Sequence, residues 1–150
     1  MTSKQSVDEF LAQECLAVVG VSRSGKGFGN ATFRELRANG YRVLPVHPSA
    51  ESFEGVPCCR TLAALPEPAG GVVVVVPPAQ TELVVREAAA AGIRRVWMQH
   101  GSSSPGALRF CAENGIDAVR GECILMFLRD GPAIHRLHKA LKRLFGRLPN

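Results

Sequence analysis

Short apolar runs alternate with longer amphipathic segments along this chain, and glycine or proline follows many of them. Apolar runs of this kind predict strands that are buried on both faces, as in a parallel sheet. The run of valines at 72–76 is the strongest of these signals, because its branched side chains leave no polar face. The predicted strands cover residues 16–21, 42–46, 71–76, 95–98 and 117–119, with a short further strand at 56–59.

Segments with apolar residues at three- and four-residue spacing predict the helices between these strands. Ser6-Val7-Asp8-Glu9 has the spacing of a capping box, which sets the start of the first helix near Val7. In the helix at 80–91, we expect Leu83, Val84 and Ala88 to face the core. The predicted helices cover residues 7–13, 30–39, 80–91, 105–114 and 132–146, with one helical turn at 61–65.

The alternation of strands and helices predicts the fold class. With short connections and right-handed crossovers, few topologies remain. We expect an α/β fold: a doubly wound, mostly parallel sheet with helices on both faces, in a three-layer α/β/α, Rossmann-like arrangement. The expected strand order is that of the doubly wound fold, 3-2-1-4-5-6, with residues 56–59 as strand three. The 150 residues are expected to form a single domain.

A polar, glycine-rich loop at residues 22–30 joins the first strand to the second helix. Its glycines permit close approach of backbone N–H groups, and the helix N-terminus favours an anion. The order of strand, loop and helix carries this prediction, because the loop matches neither of the common glycine-rich phosphate motifs. We predict a phosphate-binding loop to which Arg23 and Lys26 add full positive charges, and a surface loop with incidental bases as the alternative.

The second predicted strand ends without an acidic residue. A site for NAD normally has an acid there, which binds the ribose hydroxyls. Here the strand ends in Val46-His47-Pro48, and the next acid is Glu51. The pattern therefore favours a ligand with an extra phosphate or without a free diol. His47 and His100 are candidate ligand contacts, because both follow predicted strands at the same edge.

Four short segments, in this order along the chain, resemble a known family: Val19-Gly20-Val21-Ser22, residues 40–48, residues 96–101 and Gly121-Glu122-Cys123. They resemble the small stand-alone coenzyme A-binding proteins, which are similar to the nucleotide-binding domain of the succinyl-CoA synthetase α subunit. The resemblance covers residues 7–127. The family usually has asparagine at the position of His47, and often Asp-Arg at the position of Gly121-Glu122.

The resemblance implies a protein that binds coenzyme A or an acyl-CoA. It implies that Ser22, Arg23 and Ser24 contact the diphosphate and that Arg42 lies near the 3′-phosphoadenosine end. The residues alone do not place Arg42 there. Arg42 lies at the start of the second strand, whereas the loop follows the end of the first strand, and these are opposite edges of a parallel sheet. Coenzyme A also accounts for the missing acid, because its ribose carries a 3′-phosphate.

The resemblance further implies that Pro77, Met98, Gln99 and His100 flank the path of the pantetheine. We expect a ligand-binding protein rather than a complete enzyme, and we assign no catalytic residue and no metal ligand. The synthetases that the chain resembles need a further domain with a phosphorylated histidine. An NAD(H)-binding redox-sensing module remains an alternative.

Five cysteines without regular spacing favour a reduced, cytoplasmic protein. They are Cys15, Cys58, Cys59, Cys111 and Cys123. Cys123 follows the last predicted strand at the carboxyl edge, where it is a candidate for a mixed disulfide with bound coenzyme A. The alternatives are a small buried residue and a protein that acts on coenzyme A disulfides through this thiol.

The formal net charge of +5 belongs entirely to residues 129–150, which hold six lysines and arginines and one acid. A basic amphipathic helix is expected at about 132–146, packed on the domain or used by a protein partner. His135 and His138 lie three residues apart on it, and we predict a solvated face rather than a metal site. We expect neither nucleic acid nor a membrane as the partner, and a monomer or homodimer.

Overall fold

A computed structural model of the protein describes residues 2–128. The strands are β1 (Cys15–Val19), β2 (Arg42–Val46), β3 (Ser52–Phe53), β4 (Val56–Pro57), β5 (Gly71–Val74), β6 (Arg95–Met98) and β7 (Asp117–Val119). The α-helices are α1 (Lys4–Leu11), α2 (Phe28–Ala38), α3 (Pro78–Ala90) and α4 (Pro105–Glu113). Single 3₁₀ turns lie at Leu62–Ala64 and Ile124–Met126.

Five of the strands form one parallel sheet of order β2-β1-β5-β6-β7. The order reverses between β1 and β5, as expected for a doubly wound fold. The predicted α/β, Rossmann-like architecture is confirmed. Most predicted element ends agree with the structure within two residues, including the strands that begin at Arg42, Arg95 and Asp117.

The sheet separates two apolar cores, because alternate strand residues face opposite sides. On one face, strand residues such as Trp97 pack against α1 and α2; on the other, Val72 and Val74 pack against α3 and α4. The prediction that Leu83 faces the core is wrong, because this residue is 64% exposed. The buried stripe of α3 runs through Thr81, Val84 and Val85, and position 83 falls outside it.

The predicted third strand at 56–59 is reduced to a single residue in the sheet. Cys59 makes an isolated parallel bridge with Val46 on the outer side of β2. Val56–Pro57 instead pairs antiparallel with Ser52–Phe53. Pro57 has no N–H to donate, which disfavours a longer ladder at this position.

The predicted start of α1 is wrong by one turn. Ser3 caps this helix, because its hydroxyl accepts a hydrogen bond from the backbone N–H of Ser6 at 3.0 Å. The hydroxyl of Ser6 instead donates to Oδ1 of Asp117 at 2.7 Å. The side chain that the local pattern assigned to a cap is therefore hydrogen-bonded to a residue 111 positions away.

The basic helix predicted at 132–146, with His135 and His138, lies outside the described residues. Within residues 2–128, no helix has the length and apolar character needed to cross a membrane.

Candidate functional site

The carboxyl ends of the parallel strands meet at one edge of the sheet, which we call the carboxyl rim. It consists of the segments that directly follow these strands: residues 20–27, 47–50, 75–77, 99–101 and 120–123. Val75 donates its N–H to the carbonyl of Val19 at 2.8 Å, and Gln99 donates to Val74 at 3.1 Å. The segments that follow β1, β5 and β6 therefore begin side by side.

Two glycines let α2 begin directly against the rim. Gly20 has φ +128°, and a Cβ there would lie 2.1 Å from the carbonyl oxygen of Val75. A Cβ on Gly29 would lie 2.2 Å from the carbonyl oxygen of Gly20. Only glycine permits such backbone approach. The N-terminus of α2 is thus held at the point where the strand order reverses.

Asn30 fixes the glycine-rich loop and was not identified from the sequence. Its side chain is fully buried. Its Oδ1 accepts hydrogen bonds from the backbone N–H of Ser22 at 2.8 Å and from the Ser22 hydroxyl at 3.1 Å. Its Nδ2 donates to the carbonyl of Ser22 at 3.0 Å. These bonds hold Ser22, the first residue of the loop, in one position.

The N-terminus of α2 has no side-chain cap. Gly27 occupies the N-cap position, and no cap hydrogen bond from a side chain forms there. The positive end of the helix dipole therefore faces the loop without compensation. Arg23 and Lys26 are exposed beside it, and no acidic side chain within residues 2–128 forms an ion pair with either. The loop therefore places two positive side chains beside the positive end of the helix dipole.

Arg34 ties the loop to the turn between β3 and β4. Its Nη2 donates to the carbonyl of Gly25 at 2.9 Å, and its Nε donates to Glu54 Oε1 at 3.0 Å. Its guanidinium also lies 5.3 Å from the centre of the Phe53 ring. Sequence reasoning missed this residue, because its partners come from two other segments, at residue 25 and at residues 53–54.

His47 organises the segment after β2. Its Nδ1 accepts hydrogen bonds from the N–H groups of Ser49 at 3.0 Å and Ala50 at 2.8 Å. Nδ1 therefore acts as an acceptor in this arrangement, which leaves Nε2 as the N–H donor of the ring. The carbonyl oxygen of an asparagine side chain accepts hydrogen bonds in the same way. Histidine therefore preserves the turn at a position where the resembled family usually has asparagine.

The structure does not bring Arg42 together with the other predicted site residues. Arg42 begins β2 and pairs with Cys15, the first residue of β1. Its Nε lies 2.9 Å from Oε1 of Glu67, and this hydrogen bond raises the pKa of Arg42. Four residue steps along β2 separate it from Val46, or about 13 Å. Arg42 therefore lies at the edge opposite the carboxyl rim.

The residues predicted to flank the pantetheine divide into two groups. Pro77 and His100 are exposed at the rim. Met98 is fully buried in the core that faces α3 and α4. Gln99 is also buried: its Oε1 accepts the N–H of Ile124 at 2.8 Å, and its Nε2 lies 4.0 Å from the Cys123 sulfur.

Gln99 therefore holds the segment after β7 against β6. Trp97 assists, because its Nε1 donates to the carbonyl of Glu122 at 3.0 Å. Cys123 thus lies at the rim beside Gln99, with its side chain 8% exposed. Gln99 and Trp97 position this segment from within the core.

The five cysteines are thiols, and Cys111 is the one whose titration affects stability most clearly. Burial raises the pKa of Cys111 from 9.0 to about 11. The unfolded chain therefore loses this proton at a lower pH than the folded protein. The stabilising contribution is fully present below pH 9.0 and is lost as the pH rises through about 11.

We expect the free energy of unfolding to fall between pH 9.0 and about 11, and to fall less steeply in Cys111→Ala. Urea denaturation at several pH values in this range measures both slopes. Cys58→Ala is the control, because Cys58 is only half-buried. Equal slopes for the wild type and Cys111→Ala would contradict the assignment.

The sequence profile of the family described as CoA binding domain matches residues 14–129. A comparison with curated protein sequences finds no match. The matched segment contains the loop after β1, the end of β2 and the segments after β5, β6 and β7.

Solved structures have the same fold. A conserved hypothetical protein from Pyrococcus furiosus is 35% identical over 74% of this chain and 96% of its own, with a TM-score of 0.71. A protein from Thermus thermophilus is 27% identical over 94% of this chain and 99% of its own, with a TM-score of 0.74. A dinucleotide-forming acetyl-coenzyme A synthetase from Candidatus Korarchaeum cryptofilum is 21% identical over 70% of this chain and 25% of its own, with a TM-score of 0.62. At this identity the similarity supports the fold alone.

Proposed function

This chain belongs to the CoA binding domain family, and from that premise we propose that it binds coenzyme A at the carboxyl rim. The observation that carries the proposal is the uncapped N-terminus of α2 beside Arg23 and Lys26. A diphosphate at this position would accept hydrogen bonds from backbone N–H groups and would be attracted by the helix dipole and both cations.

The preorganised loop supports this assignment. Asn30 holds Ser22, and Arg34 holds Gly25, before any ligand arrives. An ordered loop loses little conformational entropy on binding, so more of the interaction energy contributes to affinity. The hydroxyl oxygens of Ser22 and Ser24 lie 3.0 Å apart, and the Ser22 hydroxyl already donates to Asn30, so Ser24 would offer its hydroxyl to the anion.

The sheet order supports an orientation for the ligand. The loop after β1 lies between the end of β2 on one side and the ends of β6 and β7 on the other. Coenzyme A carries its diphosphate between an adenosine and a pantetheine. The adenosine would extend towards His47, and the pantetheine towards Pro77, His100 and Cys123.

The end of β2 argues against NAD(H) as the ligand. A ribose with two hydroxyls normally binds a carboxylate at this point of the fold. His47 stands there, and it presents an N–H donor instead of an acceptor. A donor suits a phosphorylated ribose, which makes coenzyme A the better candidate.

The test compares two double variants with the same change of charge. Arg23→Gln/Lys26→Gln removes both cations of the loop; Arg42→Gln/Arg94→Gln removes two exposed cations from the opposite edge. In calorimetric titrations, we expect the wild type to bind coenzyme A more tightly than NADH. We expect the loop variant to bind coenzyme A at least about tenfold more weakly, because charge-assisted hydrogen bonds contribute about 1.5–3 kcal/mol each.

The control variant is expected to bind coenzyme A as the wild type does. Equal losses in both variants would indicate nonspecific attraction by net charge. A wild-type protein that prefers NADH, or that binds no coenzyme A, would refute the proposal.

A further inference from the structure

Arg60 lies at the carboxyl rim beside the end of β2. Cys59 donates its N–H to the carbonyl of Pro45 at 3.0 Å, and its own carbonyl accepts the N–H of His47 at 2.8 Å. The bridge between Cys59 and Val46 is parallel, so the chain at residue 59 runs in the direction of β2. Residue 60 therefore leaves the sheet at the same edge as His47.

The charge of Arg60 is available at this edge. Its side chain is exposed, and no acid among residues 2–128 forms an ion pair with it. Two other arginines of the described chain do have acidic partners: Arg34 pairs with Glu54, and Arg42 pairs with Glu67.

Glu51, an acid in the segment that pairs with Cys58, does not compete for this position through its side chain. Glu51 accepts the N–H of Cys58 at 2.9 Å through its backbone carbonyl. Its side chain is exposed and forms no ion pair within the described part of the chain.

His47 supplies a second group of the right chemistry. Its Nδ1 is occupied by two backbone N–H groups, which leaves Nε2–H as a donor. Adjacent strands lie about 4.8 Å apart, so the side chains of His47 and Arg60 begin one strand spacing from each other. A guanidinium binds phosphate through two parallel hydrogen bonds, and the imidazole adds a third donor.

We propose that Arg60, with Nε2 of His47, binds the 3′-phosphate of coenzyme A and selects for ligands that carry it. This inference rests on the proposed function and adds the determinant of its specificity. It gives Arg60 the role that the family resemblance implied for Arg42, because Arg42 lies at the opposite edge and is paired with Glu67. The ligand class is thereby narrowed to 3′-phosphorylated adenosine compounds.

The experiment titrates the wild type, Arg60→Gln and Arg42→Gln with coenzyme A and with dephospho-coenzyme A, which lacks only the 3′-phosphate. We expect the wild type to bind coenzyme A at least about tenfold more tightly than the dephospho form, because only coenzyme A can form the charge-assisted bidentate contact with Arg60. Arg60→Gln is expected to lose most of this preference and to keep only the part that the N–H of His47 supplies, with unchanged affinity for the dephospho form. Arg42→Gln is expected to keep the preference, and Arg60→Lys to keep part of it.

Each other outcome has a definite meaning. A full preference retained in Arg60→Gln overturns the inference, and a preference lost in Arg42→Gln returns the role to Arg42. A wild type that binds both ligands equally overturns the inference while the diphosphate site stands. A wild type that binds neither ligand overturns the proposed function itself. Arg60 is exposed, so we expect all variants to unfold at the wild-type temperature.

Discussion

Replacing Gly29 by alanine is expected to lower the free energy of unfolding by about 3 kcal/mol or more. The new Cβ would lie 2.2 Å from the carbonyl oxygen of Gly20, 2.6 Å from its carbon and 3.1 Å from the nitrogen of Val21. All three are backbone atoms, so no side-chain rotation relieves the collision. The N-terminus of α2 would have to move away from β1, and the proposed anion site would move with it.

Gly106→Ala is the matched control. Gly29 and Gly106 are both the second residue of their helices, α2 and α4. A Cβ on Gly106 would meet the carboxylate of Glu82 at 2.5 Å, which is the mobile end of an exposed side chain. Alanine is favoured over glycine in a helix by about 1 kcal/mol, so we expect this variant to be as stable as the wild type or more stable.

Urea denaturation of both variants measures the difference. A Gly29→Ala variant with the wild-type midpoint would show that α2 is not held against β1 as the structure describes. If the variant folds at low temperature, coenzyme A titration provides a second measurement. We expect its affinity to fall with its stability, because one displacement causes both.

Asn30→Asp is expected to abolish measurable binding of coenzyme A, with a loss of about 100-fold or more. The carboxylate retains the acceptor for the N–H of Ser22 and loses the donor to the Ser22 carbonyl. It also places a negative charge behind the loop. At an effective dielectric constant of about 20 and a separation of about 5 Å, repulsion from a phosphate is about 3 kcal/mol.

Asn114→Asp is the control for this change. Asn114 ends α4, where its Nδ2 donates to the carbonyl of Phe110 at 2.8 Å, and it is exposed. We expect this variant to bind coenzyme A normally in calorimetric titrations. Thermal unfolding followed by circular dichroism establishes that both variants are folded. Normal binding by a folded Asn30→Asp would show that the diphosphate does not bind at this loop.

The strands were predictable because the residues of each strand indicate its burial without reference to other segments. The β5 residues Val72, Val73 and Val74 are fully buried, and a strand buried on both faces is apolar whatever its neighbours are. The end of β2 and the loop after β1 were predictable for a related reason. A polar, glycine-rich segment directly after a buried strand lies at the carboxyl edge in any parallel sheet.

The errors arose where a hydrogen-bond partner outside the predicted element decided the outcome. Ser6 was assigned to a cap, but Asp117 takes its hydroxyl. Residues 56–59 were assigned to a strand, but Phe53 pairs with Val56 and leaves Cys59 alone beside β2. Asp117 is not visible in local spacing, because hydrogen bonds between separate segments depend on how those segments pack. The pairing of Phe53 with Val56 is a local hairpin that competes with the predicted strand.

Local residue patterns therefore settled the layers of this protein, the reversal in its sheet and the loop suited to an anion, since burial and backbone freedom act on each segment separately. Only the tertiary packing decided which side chains contact that loop. It placed Asn30 and Arg34 behind the loop, brought Arg60 to the carboxyl rim and left Arg42 at the opposite edge. The direction and pairing of distant strands set these positions, and no short stretch of residues records them.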